Sequence, residues 1–180
     1  MRIKGERIVI RDLMLKDAKD FYEYSKHPLV GPNAGWKPIE SENVANRVLS
    51  GMILSRETFG IALQDSNKLI GTISLYTNPI RKWKHARSIG FSLNYDYWGN
   101  GYATEALKLM IKYAFSKTDC LLIEIGHHLD NNASKRVIEK CGFKLNGLFP
   151  KFKKLYDGRM VDAVLYSLEK EEYERNEENE

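Results

Sequence analysis

Apolar residues fall into short runs in the first half of this chain and into a helical spacing past its middle. Arg7-Ile8-Val9-Ile10-Arg11 is an apolar run flanked by charge and predicts a first strand. Leu15 to Ser25 predicts a short helix, with Asp17 near its start. His27 to Pro38 holds Pro28, Pro32 and Pro38 together with Gly31 and Gly35, which predicts an exposed loop long enough to be functional. Ser41 is placed to cap a second helix running to about Arg56. Phe59 to Leu63 and Leu69 to Tyr76, joined by Asp65-Ser66-Asn67-Lys68, predict a hairpin. Asn78 to Lys84 is a second loop, basic and aromatic, and Arg87 to Leu93 is another strand.

From Ala103 to Phe115 the apolar positions Ala103, Ala106, Leu107, Met110, Ile111 and Ala114 share one helical face. Leu121 to Ile125 predicts a short strand carrying one charge, Glu124. Asn131 or Asn132 caps a further helix, which ends at Cys141-Gly142. Phe143 to Leu155 and Arg159 to Leu168 are the last strands, turning at Asp157-Gly158. Hairpins come first, then strand-helix-strand-helix, then strands. That order predicts an α/β or α+β sheet with helices on its faces. With no repeat, linker or composition break, residues 1–173 are expected to form a single domain, followed by an acidic tail at 174–180.

Composition adds limits. The 180 residues are 43% hydrophobic and 29% charged, as expected of a soluble globular protein with a full core. No apolar run is long enough to span a bilayer, and Met1 to Arg7 has no apolar stretch of the secretory kind. Cys120 and Cys141 are neither numerous nor closely spaced, so reduced thiols in the cytoplasm are expected. The net charge of +4 becomes larger for the body once the acidic Glu169 to Glu180 stretch is set aside. A basic body suits an anionic ligand. Its basic residues are dispersed and accompany no nucleic-acid motif, so direct nucleic-acid binding is not expected.

Candidate chemistry centres on Trp98 to Thr104. Gly99 and Gly101 lie between a predicted strand and a predicted helix. Glycine admits positive φ and a close ligand approach, and the helix start offers unpaired N–H groups and partial positive charge. Such a site suits a phosphate. Asn100-Gly101 is also a common hairpin pair, but a hairpin needs a strand on both sides, and the residues after Gly101 have a helical spacing. Neither the dinucleotide fingerprint nor the Walker pattern is met.

Tyr97 to Leu107, YWGNGYATEAL, resembles the acetyl-CoA loop of the GCN-related N-acetyltransferase (GNAT) superfamily, most of all its branch of ribosomal-protein N-terminal alanine and serine acetyltransferases. Ser88 to Leu93, Asn131-Asn132-Ala133-Ser134 with Val137 to Phe143, Asp157-Gly158-Arg159, Val161-Asp162 and Tyr166-Ser167 match that branch in order. The resemblance runs from about Arg7 to Tyr173. The chain departs from it at Trp98, where Gln or Arg is usual in the superfamily, and at Ser88, where many members carry Glu.

The resemblance implies a central, splayed, mostly antiparallel mixed sheet with acetyl-CoA as co-substrate and no metal. Acetyl-CoA would enter where the strand ending at Leu93 parts from the strand Leu121 to Ile125. Backbone groups near Phe91 and Leu93 would bond the pantetheine amides and the acetyl oxygen. Trp98, Gly99, Asn100, Gly101, Tyr102, Ala103 and Thr104 would hold the pyrophosphate, and Asn131 and Ser134 would flank the thioester. The implied acceptor is a protein N-terminus, with that of a ribosomal protein favoured, and family habit suggests a homodimer.

Acetyl transfer needs a neutral amine. An α-amine, with a pKa of about 8, loses its proton far more readily than a lysine at about 10.4. Glu124, the lone charge on its strand, is the leading base; the alternative is a strand carboxylate that faces solvent or pairs with a basic neighbour. Ser134 is the candidate acid for the departing thiolate, with helix capping as its alternative, and Asn131 faces the same choice. His127 and His128 are adjacent on a strand and point to opposite faces, which makes a poor metal chelate. Glu105 is expected to stabilise its helix start. Trp36 and Trp83 sit in loops and are candidates to line the acceptor cleft, with packing as their alternative. A small amine such as a polyamine or aminoglycoside is the alternative acceptor, and a non-catalytic acyl-CoA sensor the alternative of another class.

Overall fold

The computed structural model describes residues 1–178. Among them, eight strands and six α-helices follow in the order β1 (Arg2–Lys4), β2 (Ile8–Asp12), α1 (Ala18–Ser25), α2 (Val30–Ala34), α3 (Glu42–Ser55), β3 (Thr58–Leu63), β4 (Leu69–Thr77), β5 (Ala86–Leu93), α4 (Tyr102–Lys117), β6 (Leu122–His128), α5 (Asn132–Lys140), β7 (Lys144–Lys154), β8 (Met160–Glu169) and α6 (Lys170–Glu177). Strand hydrogen bonding runs β1-β2-β3-β4-β5-β6-β8-β7. The sheet is mixed and mostly antiparallel, with β5 and β6 parallel. In that parallel pair Ala86–Ser88 register against Leu122–Glu124, after which both strands continue. The chain folds as two compact units, one of Met1–Ser74 with Phe91–Leu109, the other of Leu75–Gly90 with the residues from Met110 on.

In the first unit, β1 and β3 pair with the two edges of β2, and the consecutive residues Ile8, Val9 and Ile10 are all buried, so β2 is covered on both faces. Helices α1 and α3 close over a core of Leu13, Phe21, Tyr24, Val30, Ile39, Ala45, Leu49 and Leu69. Ser41 caps α3 by accepting the Val44 N–H, as its position predicts. The charge at the end of the β2 run is satisfied inside: Arg11 makes two parallel bonds of 2.8 Å to Asp17, and both side chains are buried. The Met14 N–H and the side chain and carbonyl of Asn67 complete that network.

Two elements of the first unit, β1 and α2, were not anticipated, nor was α6 in the second. β1 is too short to show a pattern, and its pairing with β2 makes it a strand. The 27–38 segment contains α2 rather than loop alone. Pro32 lies within its first turn, where a missing N–H costs nothing, and Gly35 ends it at φ 86°.

In the second unit, β6 pairs along its whole length with β8, and β8 with β7. Leu122, Ile123 and Ile125 are buried together with Met110, Ile111, Ala114, Phe115, Ile138, Tyr166 and Leu168. Cys120 and Cys141 are both buried and in no disulfide; burial pushes the Cys120 thiol pKa up. Helix α6 takes in residues 174–177 of the acidic stretch expected to form a tail, and 179–180 lie outside the described residues. Among the described residues no helix is long and apolar enough to cross a membrane.

Candidate active site

The glycine loop begins where β5 is pinned at its end. The Asn94 N–H donates to the Ile70 carbonyl at 2.7 Å, and the Asn94 side chain accepts the Asp96 N–H while donating to Glu23. This buried asparagine turns the chain out of the strand into a single 3₁₀ turn, Tyr95–Tyr97. Trp98 then folds back: its indole N–H donates to the Leu93 carbonyl at 2.8 Å, and its ring packs against the first unit's core. His27 stacks on Tyr95 with ring centroids 4.5 Å apart, and Tyr95 leans on Trp98 at 5.1 Å. A tryptophan here is therefore an anchor at the base of the loop. It also takes one of the two lone pairs of the Leu93 carbonyl, a group expected from the resemblance to face the ligand.

Beyond Trp98 the backbone crosses to the left-handed region at Gly99 (φ 77°) and again at Gly101 (φ 82°). A Cβ on Gly99 would meet nothing within 4 Å, so glycine is needed there for its dihedral, not for room. The helical ladder of α4 starts with the Glu105 N–H on the Gly101 carbonyl at 3.0 Å. The amides from Gly101 into the first turn precede that ladder, at the positive end of a 16-residue helix. Gly99, Asn100 and Gly101 are exposed. An exposed double left-handed turn that opens a long helix fits a diphosphate.

Glu105 does not act chiefly on its own helix start. Its Oε1 accepts the N–H groups of Glu6 at 2.8 Å, Arg7 at 2.9 Å and Ile8 at 3.3 Å, and its Oε2 accepts Arg7 Nε at 3.0 Å. The residue binds the lead-in to β2, because three amides and a guanidinium outweigh a screened dipole. Arg7 is a residue that the sequence did not single out. No local signal links two positions so far apart in the chain.

In the second unit, Glu124 is buried on β6, and both oxygens are engaged. Arg81 Nε donates to Oε1 at 2.6 Å, and the Asn78 side-chain amide donates to Oε2. The ion-pair alternative is thus the one present. Asn78 also accepts the N–H groups of Ile80 and Arg81, each at 2.8 Å, and so starts the 78–84 loop with a side-chain turn. Trp83 stays exposed, in edge contact with His85 at 5.7 Å. Trp36, by contrast, packs against the first unit's core.

Asn131 is the cap of α5: its Oδ1 accepts the Ser134 N–H at 3.0 Å. Ser134 enters that cap through its backbone, not its hydroxyl. His127 is buried, with its ring nitrogens 2.7 Å from the His128 carbonyl and 3.3 Å from the Tyr166 hydroxyl. Among the described residues no group of three or more His, Cys, Asp or Glu could hold a metal ion.

Comparison with known proteins gives this geometry a family. Residues 7–144 match the acetyltransferase (GNAT) domain. The chain is 27% identical over 173 residues to the uncharacterized N-acetyltransferase p20 of Bacillus licheniformis, covering 93% of this chain and 96% of that one. It is 27% identical over 181 residues to the [ribosomal protein uS5]-alanine N-acetyltransferase of Escherichia coli, covering 93% and 90%. A GNAT-family acetyltransferase structure from Bacillus anthracis superposes with a TM-score of 0.86 at 27% identity, covering 95% and 99%. Members of this family use acetyl-CoA as co-substrate, and the glycine loop at the start of α4 has the shape that a diphosphate needs. The chain belongs to the GNAT acetyltransferase family and is an N-acetyltransferase.

Proposed function

We propose that this enzyme acetylates the α-amine of a protein N-terminus, with that of a ribosomal protein as the favoured acceptor, and that residues Gly99 to Thr104 hold the pyrophosphate of acetyl-CoA. The observation that carries the donor assignment is the pair of left-handed glycines opening α4. The E. coli relative, whose name specifies ribosomal protein uS5 alanine, supports the acceptor class. Charge supports it too. Lys82 and Lys84 are exposed on the 78–84 loop, and such a surface disfavours a polyamine.

In the transfer, the acetyl carbonyl carbon bonds to the neutral amine nitrogen, the thioester bond breaks, and the departing thiolate takes a proton from Ser134, the proposed donor. The proton shed by the acylated nitrogen passes through water and restores the Ser134 hydroxyl. Phe91 and Leu93 are proposed as backbone partners of the pantetheine arm. With Arg81 and Asn78 on its oxygens, Glu124 is proposed to fix the 78–84 loop. Serving as the base expected from the sequence would use the carboxylate lone pairs that Arg81 and Asn78 leave open. An α-amine near pKa 8 supplies enough neutral nucleophile at mildly alkaline pH without one.

That Cys120 and Cys141 are buried and in no disulfide supports a reducing, cytoplasmic setting. Leu145, Leu148, Phe149 and Phe152, exposed on the edge strand β7, support a homodimer, which sedimentation would test. For the reaction, thiol release from acetyl-CoA is measured against peptides of varied N-terminus, polyamines and aminoglycosides. Turnover on Ala- or Ser-starting peptides is expected. Turnover confined to polyamines or aminoglycosides would overturn the acceptor, and failure to bind acetyl-CoA would overturn the donor site.

A further inference from the structure

The glycine loop is held from outside by residues near the start of the chain. Arg7 Nη1 donates to the Asn100 carbonyl at 2.8 Å, its Nε pairs with Glu105 at 3.0 Å, and its guanidinium lies 4.6 Å from the centre of the Tyr102 ring. A Cβ on Gly101 would stand 3.3 Å from Arg7 Nη2, so the guanidinium lies directly along the loop. Glu105 is fastened in turn by the Glu6, Arg7 and Ile8 amides, and Gln64 ties down the same stretch through the Gly5 and Glu6 carbonyls. Gly5 allows this approach, since a Cβ there would stand 2.5 Å from Glu105 Oε1.

The peptide group explains what this clasp does. In a planar trans peptide the C=O and the following N–H point in opposite directions. Holding the Asn100 carbonyl on Arg7 therefore turns the Gly101 N–H to the opposite side. Glycine at position 101 leaves that peptide otherwise free to turn about its Gly101 φ. We propose that Arg7 and Glu105 form a positioning clasp that presets the Gly99 to Thr104 amides for the diphosphate of acetyl-CoA. The inference rests on the donor site proposed above. It adds residues that act through the loop without touching the reacting atoms.

A preset loop lowers the cost of ordering on binding, so loss of the clasp weakens a donor that uses the loop. S-acetylpantetheine carries the thioester and the pantetheine arm but no diphosphate, and it serves as the control donor. Arg7→Ala, Arg7→Lys and Glu105→Gln are compared with the parent enzyme on both donors, with thermal melts run alongside. Glu105→Gln keeps an oxygen for the three amides and loses the ionic partner of Arg7, so it carries the test where Arg7→Ala does not fold. The expected result is that kcat/KM for acetyl-CoA falls about tenfold relative to that for S-acetylpantetheine, with Arg7→Lys recovering part of the loss. An equal fall on both donors, or no fall on either, overturns the clasp alone. A parent enzyme that does not bind acetyl-CoA overturns the donor site and the clasp with it.

Discussion

Arg81 and Glu124, on a loop and a strand more than forty positions apart in the sequence, form an ion pair with Nε and Oε1 2.6 Å apart, and Asn78 occupies the other carboxylate oxygen. The buried strand β6 carries its single charge because the 78–84 loop brings two donors to it. The pairing also shapes that loop, since Asn78 and Arg81 are both part of its first turn.

Glu124→Gln keeps an acceptor and removes the charge. The acceptor KM is expected to rise several-fold as the loop loosens, while the pH dependence of turnover keeps its shape. Steady-state kinetics from about pH 6 to 9.5, spanning an α-amine pKa near 8, checks this. A flattened profile with a deep loss of kcat would instead make Glu124 the base, for which losses of about 10²- to 10⁴-fold are usual.

Asn131 and Ser134 separate under mutation. Asn131→Ala removes the side-chain acceptor of the α5 cap and is expected to cost about 1 kcal/mol, seen as a melting temperature lower by about 2 to 4 °C. Ser134→Ala leaves that cap intact. The same melt should be nearly unchanged, with slower acetyl transfer at an unaltered acetyl-CoA KM. A Ser134→Ala enzyme with full turnover removes the hydroxyl from the chemistry.

Gly101→Ala places a Cβ at φ 82° and against the guanidinium of Arg7. The left-handed backbone costs an L-residue about 1 to 2 kcal/mol, so the loop shifts toward another conformation. Acetyl-CoA binding by calorimetry is expected to weaken about tenfold. Unchanged affinity would show that the loop's backbone does not hold the donor.

Tyr24 makes stability pH-dependent at the alkaline end. Its hydroxyl is fully buried, and although Thr72 and Ser92 hydroxyls lie along it, burial pushes its pKa up to about 12 from 10.0. Below pH 10 the side chain is neutral in both states, and its contribution is complete. As pH rises from 10 toward 12 the unfolded chain loses this proton and the folded chain keeps it. Stability therefore falls, by about 2 to 3 kcal/mol in all. Tyr24→Phe gives up a hydrogen bond worth about 1 kcal/mol at neutral pH and is freed of the alkaline loss. Urea midpoints for the two proteins should converge, then cross, above about pH 10. Parallel curves would place the ionisation elsewhere.

Much of the fold was legible in the linear pattern. The spacing that ran from Ala103 to Phe115 became α4, Ser41 and Asn131 proved to be caps, and the hairpin at 65–68 formed where expected. These features are local: a cap, a helical stripe or a turn is decided within a few residues. The glycine loop was legible for the same reason, since positive φ at Gly99 and Gly101 is a property of those residues. β1 and α2 escaped because three residues carry no period and because prolines mark a helix's first turn as readily as a loop.

The sequence by itself determined the order of elements, the glycine-opened helix and the family to which both belong. Only the tertiary structure decided what its charges do. Glu124, expected from the sequence as a base or a paired carboxylate, is held in an ion pair with Arg81. Glu105 could have served its own helix and instead gathers the chain near Arg7. A carboxylate that is buried, like Glu124, or half-buried, like Glu105, takes whichever donors folding brings within about 3 Å, and the less water reaches it the more it needs them. Those donors come from residues 43 to 99 positions away in the chain, beyond the reach of any local pattern.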